Sequence, residues 1–259
     1  IDYAANRGGG HVVLSADVLP YRAQQVKFDE SVRMVREGNL SDVHDIKAYG
    51  ASDRLRDNGP AIQAALSGAN GGIVFVPPSG DAYVVRRSLS VPTGTVLEGV
   101  GKKGLDNFRS VFYNAARDGA PLLKIPNGGR DITIRDITLS GQGKGGSAIK
   151  VEEGPENFVG LRFSCVTVGS VGGHGIEVYN TPGGTLTIED LHIRGEVAGH
   201  GLLVDGGQNG FIGMATARSV FVNGAFRNGF QLGQCRFTGQ NCAAGNCGEN
   251  GWVYGGSRH

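Results

Sequence analysis

A short apolar segment recurs along this chain with a spacing of 22 to 28 residues. Six copies can be recognised, which read PLLKI, GSAIKV, HGIEVY, HGLLVD, NGFQLG and NGWVYG. Their first apolar positions are Leu123, Ile149, Ile176, Leu202, Phe230 and Trp252. Within a copy the apolar residues alternate, as Ile176 and Val178 do, and this period of two predicts a strand with one buried face. The fold must therefore accommodate a repeating unit that is built from short strands.

A second series of strand-like segments lies between these copies and reads ITIRDITLSG, LRFSCVTVGS, LTIEDLHIRG and ATARSVFVNG. A repeat of this length, with two or three short strands and no helical pattern, predicts one coil of a parallel β-helix, in which stacked coils share one core. A β-propeller blade would need about 40 residues, and a leucine-rich repeat would need the spacing L-x-x-L-x-L. Neither of these classes matches the repeat.

Glycine accounts for 45 of the 259 residues, more than twice the roughly 7% of an average protein. The glycines lie among apolar residues without a three-residue period, which excludes collagen and flexible linkers. On the repeat, Gly175, Gly201, Gly229 and Gly251 come directly before a strand. We therefore expect glycines to serve the corners of the coils, where a positive φ or a close backbone approach is required.

Charge and hydropathy exclude two classes of partner. The chain has 25 basic and 24 acidic side chains and a net charge of +1, so no overall field favours nucleic acid. No apolar run reaches the roughly 18 residues of a membrane span, so membrane insertion is not expected. The four cysteines lack the spacing of a disulfide framework or a zinc site, so free thiols are expected ahead of a disulfide or a metal site.

The stretch NGPAIQAALSG predicts a short helix ahead of the repeating strands. Pro60 stands in its first turn, Ile62 and Leu66 lie on one face, and Gly68 marks its end. We expect this helix to cover the end of the solenoid, where backbone and core would otherwise be exposed.

Residues 46–101 combine these features in a characteristic order. A strand ending in GA is followed by a turn with acidic residues, a helix containing AIQAA, a GG pair, a V-x-x-P strand, a tyrosine and a late L-x-G. This order resembles the first segment of the pectate-lyase-like right-handed β-helix superfamily, which includes many phage tailspikes. The resemblance implies an all-β, right-handed parallel β-helix over residues 46–259, with a short N-terminal capping helix. Residues 1–45 would form a neck or linker segment, and we expect the β-helix to continue beyond the visible C-terminus.

The turn before the helix departs from the superfamily pattern. Where GDG-x-x-DDT is common, this chain reads ASDRLRDNGP, so Asp53 and Asp57 match acidic positions while Asn58 and Gly59 do not. In the superfamily these residues usually shape the turn and cap the helix, so they do not decide the activity. Members include lyases, hydrolases, epimerases and non-catalytic adhesins, and enzymatic activity therefore stays open.

The resemblance implies a phage tailspike or tail-fibre-like appendage of the virion that contacts host surface polysaccharide, either by binding it or by depolymerising it. It also implies a homotrimer that contacts other tail proteins, without a cofactor or a metal. Outward apolar positions at Leu203, Phe221 and Val253 favour such a partner surface. A secreted pectate-lyase-like polysaccharide lyase or glycoside hydrolase is the alternative, and a purely structural virion component is a third class.

Outward positions on successive coils predict two rows of side chains spaced about 4.8 Å apart. The first row contains Lys124, Lys150, Glu177, Leu203, Gln231 and Val253. The second row contains Glu152, Tyr179, Asp205, Gly233 and Gly255.

Three carboxylates in these rows are candidate catalytic residues: Glu152, Glu177 and Asp205. Glu152 and Asp205 would lie about 9.6 Å apart, and Glu177 and Asp205 about 8 Å apart. These separations are close to the roughly 6.5 to 9.5 Å between the acid and the base of an inverting glycosidase. One carboxylic acid would protonate the glycosidic oxygen while the other would activate water. The candidate substrate-binding residues are Tyr179, which would stack on the sugar, Lys150 and Gln231.

Simpler interpretations compete with this site. Carboxylates are also expected on the solvated face of any solenoid, where they have no catalytic role. A lyase would instead use Lys124 or Lys150 as its base. His174 and His200 each precede a strand glycine. We expect them to stack at a corner rather than to bind a ligand.

Overall fold

The structure is a computed structural model that describes residues 43–103, 107–108, 110–141, 143 and 145–255. Its strands, numbered β1 to β24 in chain order, form three parallel sheets and one small hairpin. The segment 1–45, predicted as a neck or linker, lies outside the described residues except for β1 (Val43–Asp45). The proposed division at residue 45 stays a prediction.

The three sheets are built as follows. Sheet 1 contains β1, β2 (Ile73–Phe75), β5 (Val96–Glu98), β10 (Thr133–Arg135), β13 (Leu161–Ser164), β16 (Gly183–Glu189), β19 (Ile212–Arg218) and β22 (Cys235–Gln240). Sheet 2 contains β3 (Tyr83–Val85), β8 (Val111–Asn114), β11 (Thr138–Gly141), β14 (Thr167–Val168), β17 (His192–Val197), β20 (Phe221–Ala225) and β23 (Ala243–Gly245). Sheet 3 contains β4 (Leu89–Ser90), β9 (Leu123–Ile125), β12 (Ile149–Val151), β15 (Ile176–Tyr179), β18 (Leu202–Asp205), β21 (Phe230–Gly233) and β24 (Trp252–Gly255). The hairpin pairs β6 (Lys102–Lys103) with β7 (Asn107–Phe108).

Within the described residues the chain passes through sheets 1, 2 and 3 in turn seven times. The first coil is formed by β2, β3 and β4, and the seventh by β22, β23 and β24. Equivalent repeat positions pair across coils, so that Ile149 of β12 lies opposite Leu123 of β9 and Ile176 of β15. The prediction of an all-β parallel β-helix is confirmed.

The alternating apolar residues fill the interior of the solenoid. Leu123, Ile149, Ile176, Leu202 and Phe230 have no exposed surface, and each such burial stabilises the fold by about 1.5–3 kcal/mol. The sixth copy is less buried, because β24 is the last strand of its sheet in the described residues. Trp252 is 45% exposed there and stacks on Phe230 with the ring centroids 3.7 Å apart.

Helix α1 (Gly59–Ala69) covers the first coil, as predicted. Pro60 lies in its first turn, and the apolar face with Ile62 and Leu66 is fully buried among residues of the common core. The helix ends at Ala69, one residue later than the predicted end at Gly68. The residue that adopts the left-handed conformation after the helix is Asn70, with φ +42°. A 3-10 helix spans Ile46–Tyr49. Neither of these helices, nor the short one at Gly207–Asn209, could cross a lipid bilayer.

The corner from sheet 1 to sheet 2 is turned by a single residue with positive φ in five successive coils. These residues are Asp136 (φ +55°), Cys165 (φ +52°), Asp190 (φ +50°), Ser219 (φ +54°) and Asn241 (φ +52°). None is glycine, which corrects the expectation for this corner; Asp and Asn are the non-glycine residues that tolerate this conformation best. At the start of β18 the expectation holds, because a Cβ on Gly201 would lie 2.3 Å from Cγ1 of Val222 and 2.7 Å from the backbone oxygen of Gly229.

Candidate functional site

The outer face of sheet 3 carries the predicted site residues, and the strand register confirms the predicted rows. The first row pairs Lys124, Lys150, Glu177, Leu203, Gln231 and Val253 across successive strands. The second row pairs residues across successive strands in the same way, namely Tyr179, Asp205, Gly233 and Gly255. Glu152 follows Val151, which lies opposite Val178, and therefore stands at the start of this row. Leu203 is only 7% exposed, so it adds little to an apolar outer surface.

Glu177 is held inside a network of polar side chains. It is 8% exposed, accepts a hydrogen bond from Oγ of Ser147 at 2.6 Å, and lies 2.8 Å from Nζ of Lys150. Burial opposes the charged form of Lys150, but the hydrogen bond and charge of Glu177, with those of Glu153, outweigh it and raise the pKa of Lys150. Glu177 therefore stabilises a lysine of the first row as a cation.

We expect Glu177→Ala to lower the free energy of unfolding by about 1–3 kcal/mol, because it leaves the Ser147 hydroxyl and the Lys150 ammonium without their buried partner. Glu153→Ala is the matched control. Glu153 contacts the same lysine at 3.5 Å, but its side chain is 46% exposed, and its loss should cost about 0–1 kcal/mol. Urea unfolding of the two variants measures the difference, and equal effects would contradict the buried role of Glu177.

The other predicted residues lie further along the same face. Oδ1 of Asp205 accepts a hydrogen bond from the backbone N–H of Gly207 at 2.9 Å. Tyr179 is 40% exposed, and Oε1 of Gln231 accepts from Nδ2 of Asn228 at 2.8 Å. Burial, with the charge of Asp205, raises the pKa of the Cys235 thiol to about 11, so this cysteine stays protonated below that range.

A groove of about 590 Å³ lies at the first coils of this face, and it is called the sheet 3 groove below. It is lined by Ser88, Ala120, Pro121, Lys124, Asn127, Lys150, Glu152 and Glu153. Lys124 and Glu152 form an ion pair at 2.5 Å across it. Of the predicted site residues, the groove brings together Lys150 and Glu152; Glu177, Tyr179, Asp205 and Gln231 do not line it. Sequence reasoning missed Ser88, Asn127 and the wall formed by Ala120 and Pro121, because these residues lie outside the strands from which the rows were read.

A smaller groove of about 260 Å³ lies on sheet 1. It is lined by Ile73, Val96, Thr133, Arg135, Arg162 and Ser164. Arg135 is paired with Glu98 at 2.5 Å, and Arg162 with Glu189 at 2.5 Å. This groove was not predicted from the sequence, because its residues belong to four different coils.

The corner before sheet 3 is a ladder of polar side chains. In coils 3 to 6 a side chain accepts a hydrogen bond from the backbone N–H of the equivalent residue in the next coil. Ser147 Oγ accepts from His174, His174 Nδ1 from His200, His200 Nδ1 from Asn228, and Asn228 Oδ1 from Asn250, at 2.9–3.2 Å. The two imidazoles stack with centroids 5.2 Å apart and an interplanar angle of 6°. The predicted stacking of the histidines at a corner is confirmed.

The described residues contain no group of three or more His, Cys, Asp or Glu side chains that could hold a metal ion. Cys235, Cys242 and Cys247 are free thiols, as expected. Sheet 3 carries carboxylates, ammonium groups, amides and two exposed phenols, those of Tyr179 and Tyr254.

Comparison with known proteins identifies the architecture. No protein-family model and no curated protein sequence matches the chain. Among solved structures, the A-module of a mannuronan C-5 epimerase from Azotobacter vinelandii matches with a TM-score of 0.55 and 20% identity, over 80% of this chain and 57% of that one. The chain has the parallel β-helix fold. The predicted parallel β-helix fold is thus confirmed.

A phage protein shares this fold as well. Pre-mature gene product 12 of bacteriophage phi29 matches with a TM-score of 0.51 and 15% identity, over 79% of this chain and 33% of that one. The chain therefore spans about 57% of the first matched structure and about 33% of the second.

Proposed function

We propose that this chain is part of a phage tailspike or tail-fibre-like appendage of the virion and that it binds host surface polysaccharide in the sheet 3 groove. The groove itself is the observation that carries the proposal. It has about 590 Å³, a size usual for small-molecule sites, and its two lysines, Lys124 and Lys150, stand on strands β9 and β12. The fold shared with a bacteriophage gene product supports this reading.

We extend the proposal to a homotrimer that contacts other tail proteins. Coil 6 supports a partner surface, because four of its large apolar side chains are 36–58% exposed: Phe211, Met214, Phe221 and Phe226. Two of them, Met214 and Phe221, stand on sheets 1 and 2, and large exposed apolar side chains are a feature of surfaces that pack against a partner.

The binding site can be tested with an array of bacterial capsules and lipopolysaccharides. We expect Lys124→Gln to weaken binding about tenfold, because a hydrogen bond to a charged group contributes about 1.5–3 kcal/mol. Arg162→Gln is the matched control, since it also removes a cation from an ion pair with glutamate, but in the sheet 1 groove. If Arg162→Gln alone reduced binding, the site would lie on sheet 1, and absence of binding to any glycan would leave a structural virion component as the function.

Cleavage by Glu177, Asp205 and Glu152 stays a prediction that the same array tests. Hydrolysis would release new reducing ends, and a lyase would give unsaturated products that absorb in the ultraviolet. The contacts of Glu177 with Lys150 and Ser147 favour a structural role for this carboxylate. Unchanged product formation by Glu177→Gln with Asp205→Asn would contradict the acid–base assignment.

A further inference from the structure

We propose that the sheet 3 groove selects neutral saccharides over acidic ones. This inference rests on the proposed function and specifies the class of sugar that the groove takes. It follows from how the charged side chains of the groove are already paired.

Each lysine in the groove is neutralised by the protein itself. Lys124 lies 2.5 Å from Oε1 of Glu152. Lys150 lies 2.8 Å from Glu177 and 3.5 Å from Glu153. With Glu177, which lies beside the groove and not in its lining, the two lysines face three carboxylates, which gives this cluster a net charge of −1.

An acidic sugar would meet an unfavourable field in this groove. To reach a lysine, its carboxylate would have to displace Glu152 or Glu153, or lie beside them as a like charge within a few ångströms. Like charges at such distances disfavour the ionised form of a ligand or exclude it. The glutamates therefore act against uronates and other anionic sugars.

A neutral sugar can form hydrogen bonds with the same carboxylates and ammonium groups. Carboxylates are acceptors only, with about four acceptor sites each, and an ammonium group has three donors. Ion pairing occupies only part of this capacity, so sugar hydroxyls can donate to Glu152 and Glu153 and accept from Lys124 without breaking a pair. Ala120 and Pro121 supply an apolar wall for the C–H faces of the ring.

The test uses polysaccharides as their own controls. Each uronate-containing bacterial polysaccharide is presented to the protein in its native form and after chemical reduction of its carboxyl groups, which leaves the same chain uncharged. We expect neutral and reduced glycans to bind at least about tenfold more tightly than native acidic ones, and their binding to change less than about twofold between 0.05 and 0.5 M salt.

Removing the excluding charges should reverse the preference. The double variant Glu152→Gln, Glu153→Gln frees Lys124 and weakens the neutralisation of Lys150, and we expect its affinity for native acidic glycans to rise at least about tenfold. Both glutamates have side chains at least 40% exposed, so the fold should persist. Glu189→Gln, which frees arginines on sheet 1, is the control and should leave the selectivity unchanged.

The outcomes separate this inference from the proposed function. Preferential binding of native acidic glycans by the unmodified protein, or no gain in the double variant, would overturn the selectivity while leaving polysaccharide binding intact. Failure to bind any glycan, neutral or acidic, would overturn both.

Discussion

Replacing Phe158 by alanine is expected to lower the free energy of unfolding by about 3–5 kcal/mol, the usual cost of deleting a large buried aromatic side chain. Phe158 has no exposed surface, and its ring lies directly over the backbone of Gly183 in β16. A Cβ on Gly183 would be 2.1 Å from Cε1 and 2.2 Å from Cζ of this ring. Gly183→Ala should therefore cost about 1–3 kcal/mol by overpacking.

The two residues should also be coupled. In the double variant the alanine methyl group occupies space that the ring has left, so the combined loss should be smaller than the sum of the single losses by about 0.5–3 kcal/mol. Gly184→Ala is the control in the same strand, because its Cβ would meet no atom closer than 3.5 Å; it should change stability by no more than about 0.5 kcal/mol. Guanidinium unfolding of the four proteins measures the cycle, and additive losses would contradict the proposed contact.

Lowering the pH from about 7.5 to about 5 is expected to destabilise the solenoid through His174 and His200. Burial lowers the pKa of both imidazoles from the usual 6.5. Around His174, Glu177 opposes this shift while His200, Lys150 and Arg227 add to it. Around His200, Arg227 adds to it and Glu249 opposes it.

The sign follows from proton binding in the two states. Above the unfolded pKa both states are neutral and the full stability is present. As the pH falls below about 6.5, the unfolded chain binds protons that the folded imidazoles bind only at lower pH, so stability decreases. Protonating Nδ1 would also remove the acceptor for the backbone N–H of the next coil.

A double variant isolates this effect. His174→Asn with His200→Asn replaces each titrating acceptor by the amide that Asn228 already supplies at the equivalent corner of the next coil. We expect the variant to fold at neutral pH and to lose the part of the stability change between pH 7.5 and 5 that the histidines cause. Thermal unfolding across this range measures the slope, and an unchanged slope would show that other groups are responsible.

Local pattern predicted much of the fold. The alternation seen in Ile176 and Val178 identified the side of each strand that faces the core, because successive side chains point to opposite faces. The spacing of the copies then predicted the stacking, so the row from Lys124 to Val253 was correct. The helix around Ile62 was also predictable, since its apolar spacing and its proline are local signals.

The candidate site was less accessible to such reasoning. Glu177 and Lys150 were placed in one row correctly, but the hydrogen bond that Glu177 accepts from Ser147 depends on a corner residue of the preceding coil. The positive φ of the corner residues Asp136 and Cys165 was also not predicted. Their positive φ occurs where the chain passes from sheet 1 to sheet 2, and no composition signal distinguishes a cysteine in that conformation from any other.

The sequence by itself determined that this protein is a solenoid of short strands and which residues stand in line along its faces, because both follow from a period that is local in the chain. Only the tertiary structure decided that Ser88, Pro121 and Lys150, from three coils, enclose one groove, that each lysine there is already neutralised, and that the ring of Phe158 requires a glycine at position 183. These properties depend on distances between side chains of different coils, and such distances are set by packing across the stack rather than by the pattern within a repeat.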